Sequence, residues 1–219
     1  FVDLGGGVVP VAVNAVGDVV GSRQSGPRQH AIWFRNGVAV DANPLLPGAI
    51  SSDARTINDA GYLSGVIEGD AGARGYLAHG DDLTVVQPAA GSYSMIADVN
   101  LSGVAVGTIS TDEQENAAFR LVNGVVEVLD PPSSSQSEAI AINESGVIAG
   151  AAFDDQSGRY RPFIHDAQGF RFSTGLGGQF ASVLDLSNTG VAVGYGSTPI
   201  GPTHPLTFDG TTTVDLTTV

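Results

Sequence analysis

The feature that most restricts this sequence is a string, apolar–Asn–x–x–Gly–x–x–x–Gly, that returns five times at nearly constant spacing. It reads Val13-Asn14, Gly17, Gly21, then Ile57-Asn58, Gly61, Gly65 and Val99-Asn100, Gly103, Gly107. It returns as Ile142-Asn143, Gly146, Gly150 and, with Ser for Asn, as Leu186-Ser187, Gly190, Gly194. Successive first glycines lie 44, 42, 43 and 44 residues apart. A type I turn favours Asn, Asp or Ser at its first position and Gly at its fourth, so the string predicts a tight turn. Alternating β-formers flank it, as in Val11-Ala12-Val13 and Asp18-Val19-Val20, which makes the turn a hairpin. The second Gly is expected to end the returning strand, at a bulge or close backbone approach that admits no Cβ.

Each copy carries a second signature, a small residue or Pro before a large apolar one. The copies are Ala31-Ile32, Gly75-Tyr76, Ala118-Phe119, Pro162-Phe163 and Pro205-Leu206. A second turn follows each, at Asn36-Gly37, Gly80-Asp81, Asn123-Gly124, Gln168-Gly169 and Asp209-Gly210, and then a last short strand. Every copy is therefore a meander of strands a, b, c and d, with no helical periodicity. Four strands in about 43 residues is the size of a propeller blade, whereas β-solenoid units are shorter and rarely hold two hairpin turns.

The fold expected is all-β, a five-bladed β-propeller with four antiparallel strands per blade, forming a single domain over 1–219. Its repeats span 8–43, 51–87, 93–130, 137–174 and 181–219. Phe1-Val2-Asp3-Leu4 resembles an extra strand d, like Val214-Asp215-Leu216, that closes the ring or belongs to a preceding unit. The chain opens on Phe1, which points to a processed or excised piece of a longer precursor.

Composition limits the partners. The net charge of −14 opposes a nucleic-acid groove or an anionic membrane surface. No apolar run is long enough to span a membrane, so direct membrane insertion is not expected. With no Cys, disulfides, thiolate metal sites and thiol nucleophiles are excluded. All nine basic residues are Arg, which reflects either genomic base composition or a preference for planar, stacking cations. An acidic, Gly-rich β chain suits an extracellular or periplasmic setting.

These residues resemble the HAF-type extracellular repeat family, whose unit joins an Ala-x-x-Ile-Asn-x-x-Gly-x-Val-x-Gly stretch to a His-Ala-Phe stretch. The segment from Ala139 to Gly150 matches the first part, and His30-Ala31-Ile32-Trp33 and His204-Pro205-Leu206 approach the second. The middle copies depart from it, with Arg74, Ala117 and Arg161 at the His position. The resemblance covers essentially the whole chain and implies a secreted bacterial β repeat protein, with no catalytic residues to carry over.

In a meander the b–c and d–a connections share one end of each blade. Both are expected to be long here: b–c over 22–29, 68–74, 110–116, 154–161 and 197–203, and d–a over 41–53, 87–94, 130–137 and 173–180. Variable connections on a rigid scaffold concentrate binding residues. The candidates for contacting a partner are Arg23, Arg28, Arg74, Tyr93, Asp154, Arg159, Tyr160 and Arg161, against the plainer reading that they are solvated loop residues. Asp70, Asp112, Glu113, Glu115 and Asp155 share these segments.

No catalytic residue, metal site or cofactor is assigned. Asp98 and Asp185, in equivalent positions two residues before the turn, are the best carboxylate pair for a glycoside hydrolase. His30 and His204 are also equivalent, but lack the further ligands that a metal needs. Residues 154–158 hint at a Ca²⁺ loop without the spacing of one. Trp33, Tyr76, Phe119 and Phe163 read as packing between blades. The function expected is a non-enzymatic extracellular binding or scaffold propeller, a subunit or surface module recognising a protein or polar ligand through its long-loop face. The alternatives are a carbohydrate-binding lectin and the hydrolase.

Overall fold

The computed structural model describes residues 6–88, 92–111 and 116–218. They form twenty strands in five four-stranded antiparallel sheets, each a simple meander. The first holds β1 (Val8–Val13), β2 (Val19–Ser25), β3 (Arg28–Arg35) and β4 (Val38–Asp41). The second holds β5 (Ser51–Ile57), β6 (Leu63–Gly69), β7 (Gly72–His79) and β8 (Asp82–Val85). The third holds β9 (Ser94–Val99), β10 (Ala105–Ile109), β11 (Ala117–Val122) and β12 (Val125–Val128). The fourth holds β13 (Ser134–Ile142), β14 (Ile148–Asp154), β15 (Arg159–Asp166) and β16 (Gly169–Phe172). The fifth holds β17 (Ala181–Leu186), β18 (Ala192–Ser197), β19 (Thr203–Phe208) and β20 (Thr213–Asp215). The fold is a five-bladed β-propeller. By backbone contacts it divides into compact units 1–105 and 106–219. The expected N-terminal strand, 1–4, lies outside the described residues.

The repeated string does what its chemistry requires, and more. Gly17 donates its amide to the Asn14 carbonyl at 3.0 Å, and the same bond recurs at Gly61, Gly103, Gly146 and Gly190. All five glycines have positive φ, +79° to +86°, which disfavours a side chain at the fourth turn position. The Asn14 Oδ1 accepts the Asp18 amide at 2.8 Å, and Asn58, Asn100 and Asn143 repeat this at 3.0 Å. The other half of the amide reaches the next blade. Asn14 Nδ2 donates to the Asn58 carbonyl (3.3 Å), Asn58 Nδ2 to the Asn100 carbonyl (2.8 Å) and Asn143 Nδ2 to the Ser187 carbonyl (3.1 Å). Asp would serve the turn equally well but has no N–H to donate.

The second Gly does not end its strand. It lies inside strand b, opposite a bulge in strand a between Pro10 and Ala12, Ala54 and Thr56, Ala139 and Ala141, and Val183 and Asp185. A Cβ at Gly21, Gly65, Gly150 or Gly194 would stand 2.0–2.2 Å from a strand-a carbonyl oxygen. These glycines face the large residue of strand c, in the pairs Gly21–Ile32, Gly65–Tyr76, Gly150–Phe163 and Gly194–Leu206. The missing side chain leaves room for the large one. Tyr76, Phe119, Phe163 and Leu206 are fully buried, worth roughly 1.5–3 kcal/mol each.

Apolar residues from adjacent blades make the core of each unit. In the first, Val20, Ala31 and Leu46 pack with Ala54, Leu63, Ile67 and Tyr76. In the second, Ala149 and Ile164 pack with Val183, Leu186, Leu206 and Phe208. A serine at the start of strand a fastens blades further. The Ser52 hydroxyl oxygen accepts the Ala31 amide at 3.0 Å, Ser94 that of Gly75 at 3.0 Å, and Ser137 that of Ala118 at 2.9 Å.

Candidate functional site

The b–c connections are shorter than the sequence implies. Only Gly26-Pro27 separates β2 from β3, and only Asp70-Ala71 separates β6 from β7. Residues 155–158 join β14 to β15, while 198–202 stay longer. The polar residues expected in loops continue the hairpins instead, in register as far as Ser25–Arg28, Gly69–Gly72 and Asp154–Arg159. The reason is that an antiparallel pair satisfies its own backbone hydrogen bonds, so it runs on past the core until a turn residue stops it. Gly26 (φ +62°) and Gly158 (φ +66°) supply those stops. Among the described residues, the d–a connections 42–50, 129–133 and 173–180 remain the irregular part of this end.

The eight predicted contact residues separate into two groups. In the first unit, Arg23 on β2 reaches Asp41 (3.6 Å), which also holds the His30 ring at 2.8 Å. Arg28 opens β3 and is exposed. Arg74 is buried on β7, and its Nη2 donates to the Pro47 carbonyl at 3.1 Å, so it secures the 42–50 connection. Tyr93 is exposed. These four do not converge on a cleft.

The other four share the β14–β15 hairpin. The buried Asp154 carboxylate accepts from the Ser157 hydroxyl (2.5 Å) and the Gln156 amide (3.3 Å), and pairs with Arg161 at 3.3 Å. The Ser157 hydrogen bond is the leading cause holding its carboxyl below the ordinary range. Its oxygens are thus taken up by the turn itself, where the sequence hints at a cation loop. Arg161 lies over the Phe172 ring at 4.8 Å, and Arg159 Nη1 donates to the Gly177 carbonyl at 3.1 Å. The Tyr160 hydroxyl donates to Gln136 Oε1 at 2.8 Å. Its ring is one of a string, with centroid separations of 5.2 Å for Phe153–Tyr160, 5.9 Å for Tyr160–Phe180 and 5.6 Å for Phe180–Tyr195.

Beside Tyr160 opens a cleft of about 240 Å³ lined by Asn116, Gln136, Ser137, Glu138, Tyr160 and Phe180. Sequence reasoning found Tyr160 and missed the rest. Glu138 is the chemically prominent member. It is half-buried on β13, and burial pushes its carboxyl above the ordinary range. No side chain among the described residues hydrogen-bonds or ion-pairs with it.

The other singled-out residues have local partners. Asp98 accepts the Val99 amide at 2.8 Å and Asp185 the Leu186 amide at 2.7 Å, each from its own successor in strand a. His204 pairs with Asp215 at 2.8 Å, as His30 does with Asp41. Among the described residues no group of three metal-ligating side chains is assembled. No helix among the described residues is long and apolar enough to cross a membrane.

No model of a known protein family matches the sequence, and no curated protein does. Solved structures do match in fold. Prolyl oligopeptidase B from Galerina marginata, bound to a 35mer hydrolysis and macrocyclization substrate, has a TM-score of 0.59 at 10% identity over 89% of this chain. TolB from Acinetobacter baumannii has a TM-score of 0.53 at 14% identity over 93% of it. The chain spans 30% of the length of the first and 52% of the second. At these identities the likeness is one of fold alone.

Proposed function

We propose that this chain is an extracellular, non-enzymatic binding propeller that engages a protein partner or polar ligand at the b–c/d–a end of its blades. The observation that carries this reading is the joining of an aromatic string and an open, polar-lined cleft at that end of the second unit. Aromatic faces supply contact area at low entropic cost, and amides and a carboxylate beside them supply direction. The connections at the a–b and c–d end are turns of two to five residues. The resemblance to HAF-type repeats and the net charge of −14 favour a secreted module, away from nucleic acid and anionic membranes.

A lectin is the second reading, favoured by the Tyr160–Phe180–Tyr195 string, since sugar rings stack on such faces. The hydrolase alternative has weaker support, because Asp98 and Asp185 each commit an oxygen to a neighbouring amide.

The test is site-directed photocrosslinking. A benzoyl-phenylalanine at position 180, on the b–c/d–a end, should capture a partner from the native secreted fraction, with unlabelled protein competing. The same probe at position 168, on the c–d turn, should capture none. Equal capture from both positions would remove the reading, and capture of glycan alone would transfer it to the lectin.

A further inference from the structure

The repeat supplies an internal comparison for the cleft of the second unit. Two residues before the small–large pair of strand c (Ala31-Ile32, Ala118-Phe119) stand Gln29 in the first blade and Asn116 in the third. Strand a of the following blade carries Ser51-Ser52-Asp53 in one case and Gln136-Ser137-Glu138 in the other. Gln29, Ser51, Ser52 and Asp53 line a cleft in the first unit, and Asn116, Gln136, Ser137 and Glu138 line one in the second. The two clefts are therefore the same place in two copies of the repeat. Both put a carboxylate just before the strand-a bulge, opposite Val66 or Ala151.

What occupies them differs. In the first unit the bulge residue is Arg55, whose guanidinium returns over Asp53 with nitrogen–oxygen distances of 3.1–3.2 Å. The cleft beside this pair measures about 30 Å³. In the second unit the bulge residue is Ile140, which cannot do this, and Ala151 replaces Val66 on the opposing strand. Glu68 is replaced by Phe153 and Ala73 by Tyr160, so the walls become aromatic. The cleft opens to about 240 Å³ around a carboxylate that no cation among the described residues neutralises.

The geometry points to this cleft as the receptor for a guanidinium group carried by an arginine side chain of a partner protein, held by Glu138 and stacked against Tyr160 and Phe180. This rests on the reading of the b–c/d–a end as the binding surface. A planar guanidinium matches a carboxylate edge and also stacks on aromatic rings, as Arg55 on Asp53 and Arg161 over Phe172 do within this chain. A neutral polyol would leave the half-buried carboxylate uncompensated. A cation would approach a chain of net charge −14 favourably. Burial disfavours the ionised form of Glu138, so a bound cation would also draw its carboxyl back toward the ordinary range.

The test uses the whole chain and defined probes. The peptide Ac-Gly-Arg-Gly-NH₂ and its citrulline counterpart would be titrated against isotopically labelled protein, with n-butylguanidinium and n-butylurea as small-molecule arms. The arginine peptide should shift resonances of Asn116, Gln136, Glu138 and Phe180, and the neutral citrulline and urea probes should not. Glu138→Gln should weaken the peptide by about tenfold or more while leaving the spectrum folded. Phe180→Ala should weaken it by a smaller factor. Binding of n-butylguanidinium as tight as that of the peptide would overturn the assignment to a side chain and make the site one for free guanidines. Equal response to citrulline, or no effect of Glu138→Gln, would overturn the cation site altogether. If photocrosslinking from position 180 succeeds while the arginine peptide does not bind, only this inference falls. If the peptide binds but crosslinking reports the opposite end, the surface reading falls and the site stands.

Discussion

The cleft beside Asp53 and the cleft beside Glu138 are cut from the same repeat, yet in one the carboxylate is paired by an arginine of its own chain and in the other it is not. Arg55 pairs with the carboxylate of the first, which measures about 30 Å³. Ile140, Ala151 and Tyr160 leave about 240 Å³ in the second. The backbone that holds both carboxylates is alike, down to the bulge after Ala54 or Ala139 and the glycine across from it. The difference teaches that in a repeat fold the framework fixes where a functional group stands, and a few side chains decide whether the molecule or a partner satisfies it.

The sharpest way to break the comparison is to attack the shared framework. Gly65→Ala would drive a Cβ to 2.0 Å from the Asp53 carbonyl oxygen, and Gly150→Ala to 2.1 Å from that of Glu138. Each should cost about 2–4 kcal/mol in urea unfolding, as overpacking and backbone displacement do. A loss confined to one blade would mean that the two frameworks are not equivalent.

Next in size is the Asn ladder. Asn58→Asp keeps the turn acceptor but loses the donor to the Asn100 carbonyl, and Asn143→Asp loses the donor to Ser187. Each should destabilise by about 1–2 kcal/mol, with the turns intact by NMR. No loss in either variant would reduce the ladder to a passive contact.

The third prediction concerns the Glu138 carboxyl and pH. Burial raises the Glu138 carboxyl in the folded state, so there the folded chain holds a proton that the unfolded chain has released. Its contribution to stability is full below the ordinary Glu range and is lost as pH rises through the folded value. Unfolding free energies measured across that window should fall with pH in the wild type, and fall less in Glu138→Gln. An identical slope in the two proteins would show that Glu138 is not buried at the cost of its charge.

The smallest effect is expected from Arg55→Ala. Its ion pair is partly exposed, with 42% of the Arg side chain accessible, so stability should change by less than about 1 kcal/mol. The cleft beside Asp53 should nevertheless open, detectable as weak n-butylguanidinium binding that the wild type lacks there.

The architecture was legible in the sequence because its signals are local. Asn-x-x-Gly states a turn, and a glycine register kept five times states a blade. The serine clasp was not legible, because Ser52, Ser94 and Ser137 acquire partners only when blades meet. The b–c hairpins were read as loops because polar residues such as Arg23 and Arg28 lie on extensions beyond the core, where strand patterning no longer alternates. Within the candidate site, Tyr160 was found as an aromatic near a turn. Glu138 was missed because it sits inside a strand, and a lone Glu there carries no motif. Laying Asp53 over Glu138, and Arg55 over Ile140, was the available signal. It becomes informative once the bulge shows that residue 55 folds back over residue 53. Asp112, Glu113 and Glu115, placed by the sequence at the same end, lie outside the described residues.

The most direct measurement of the central claim is an exchange. In the double variant Arg55→Ala/Ile140→Arg, with the fold checked by circular dichroism, n-butylguanidinium is titrated and the perturbed resonances are mapped. The perturbation should leave Gln136, Glu138 and Phe180 and appear at Gln29, Ser51 and Asp53. A perturbation that remains around Glu138, or that appears at neither place, would contradict the account.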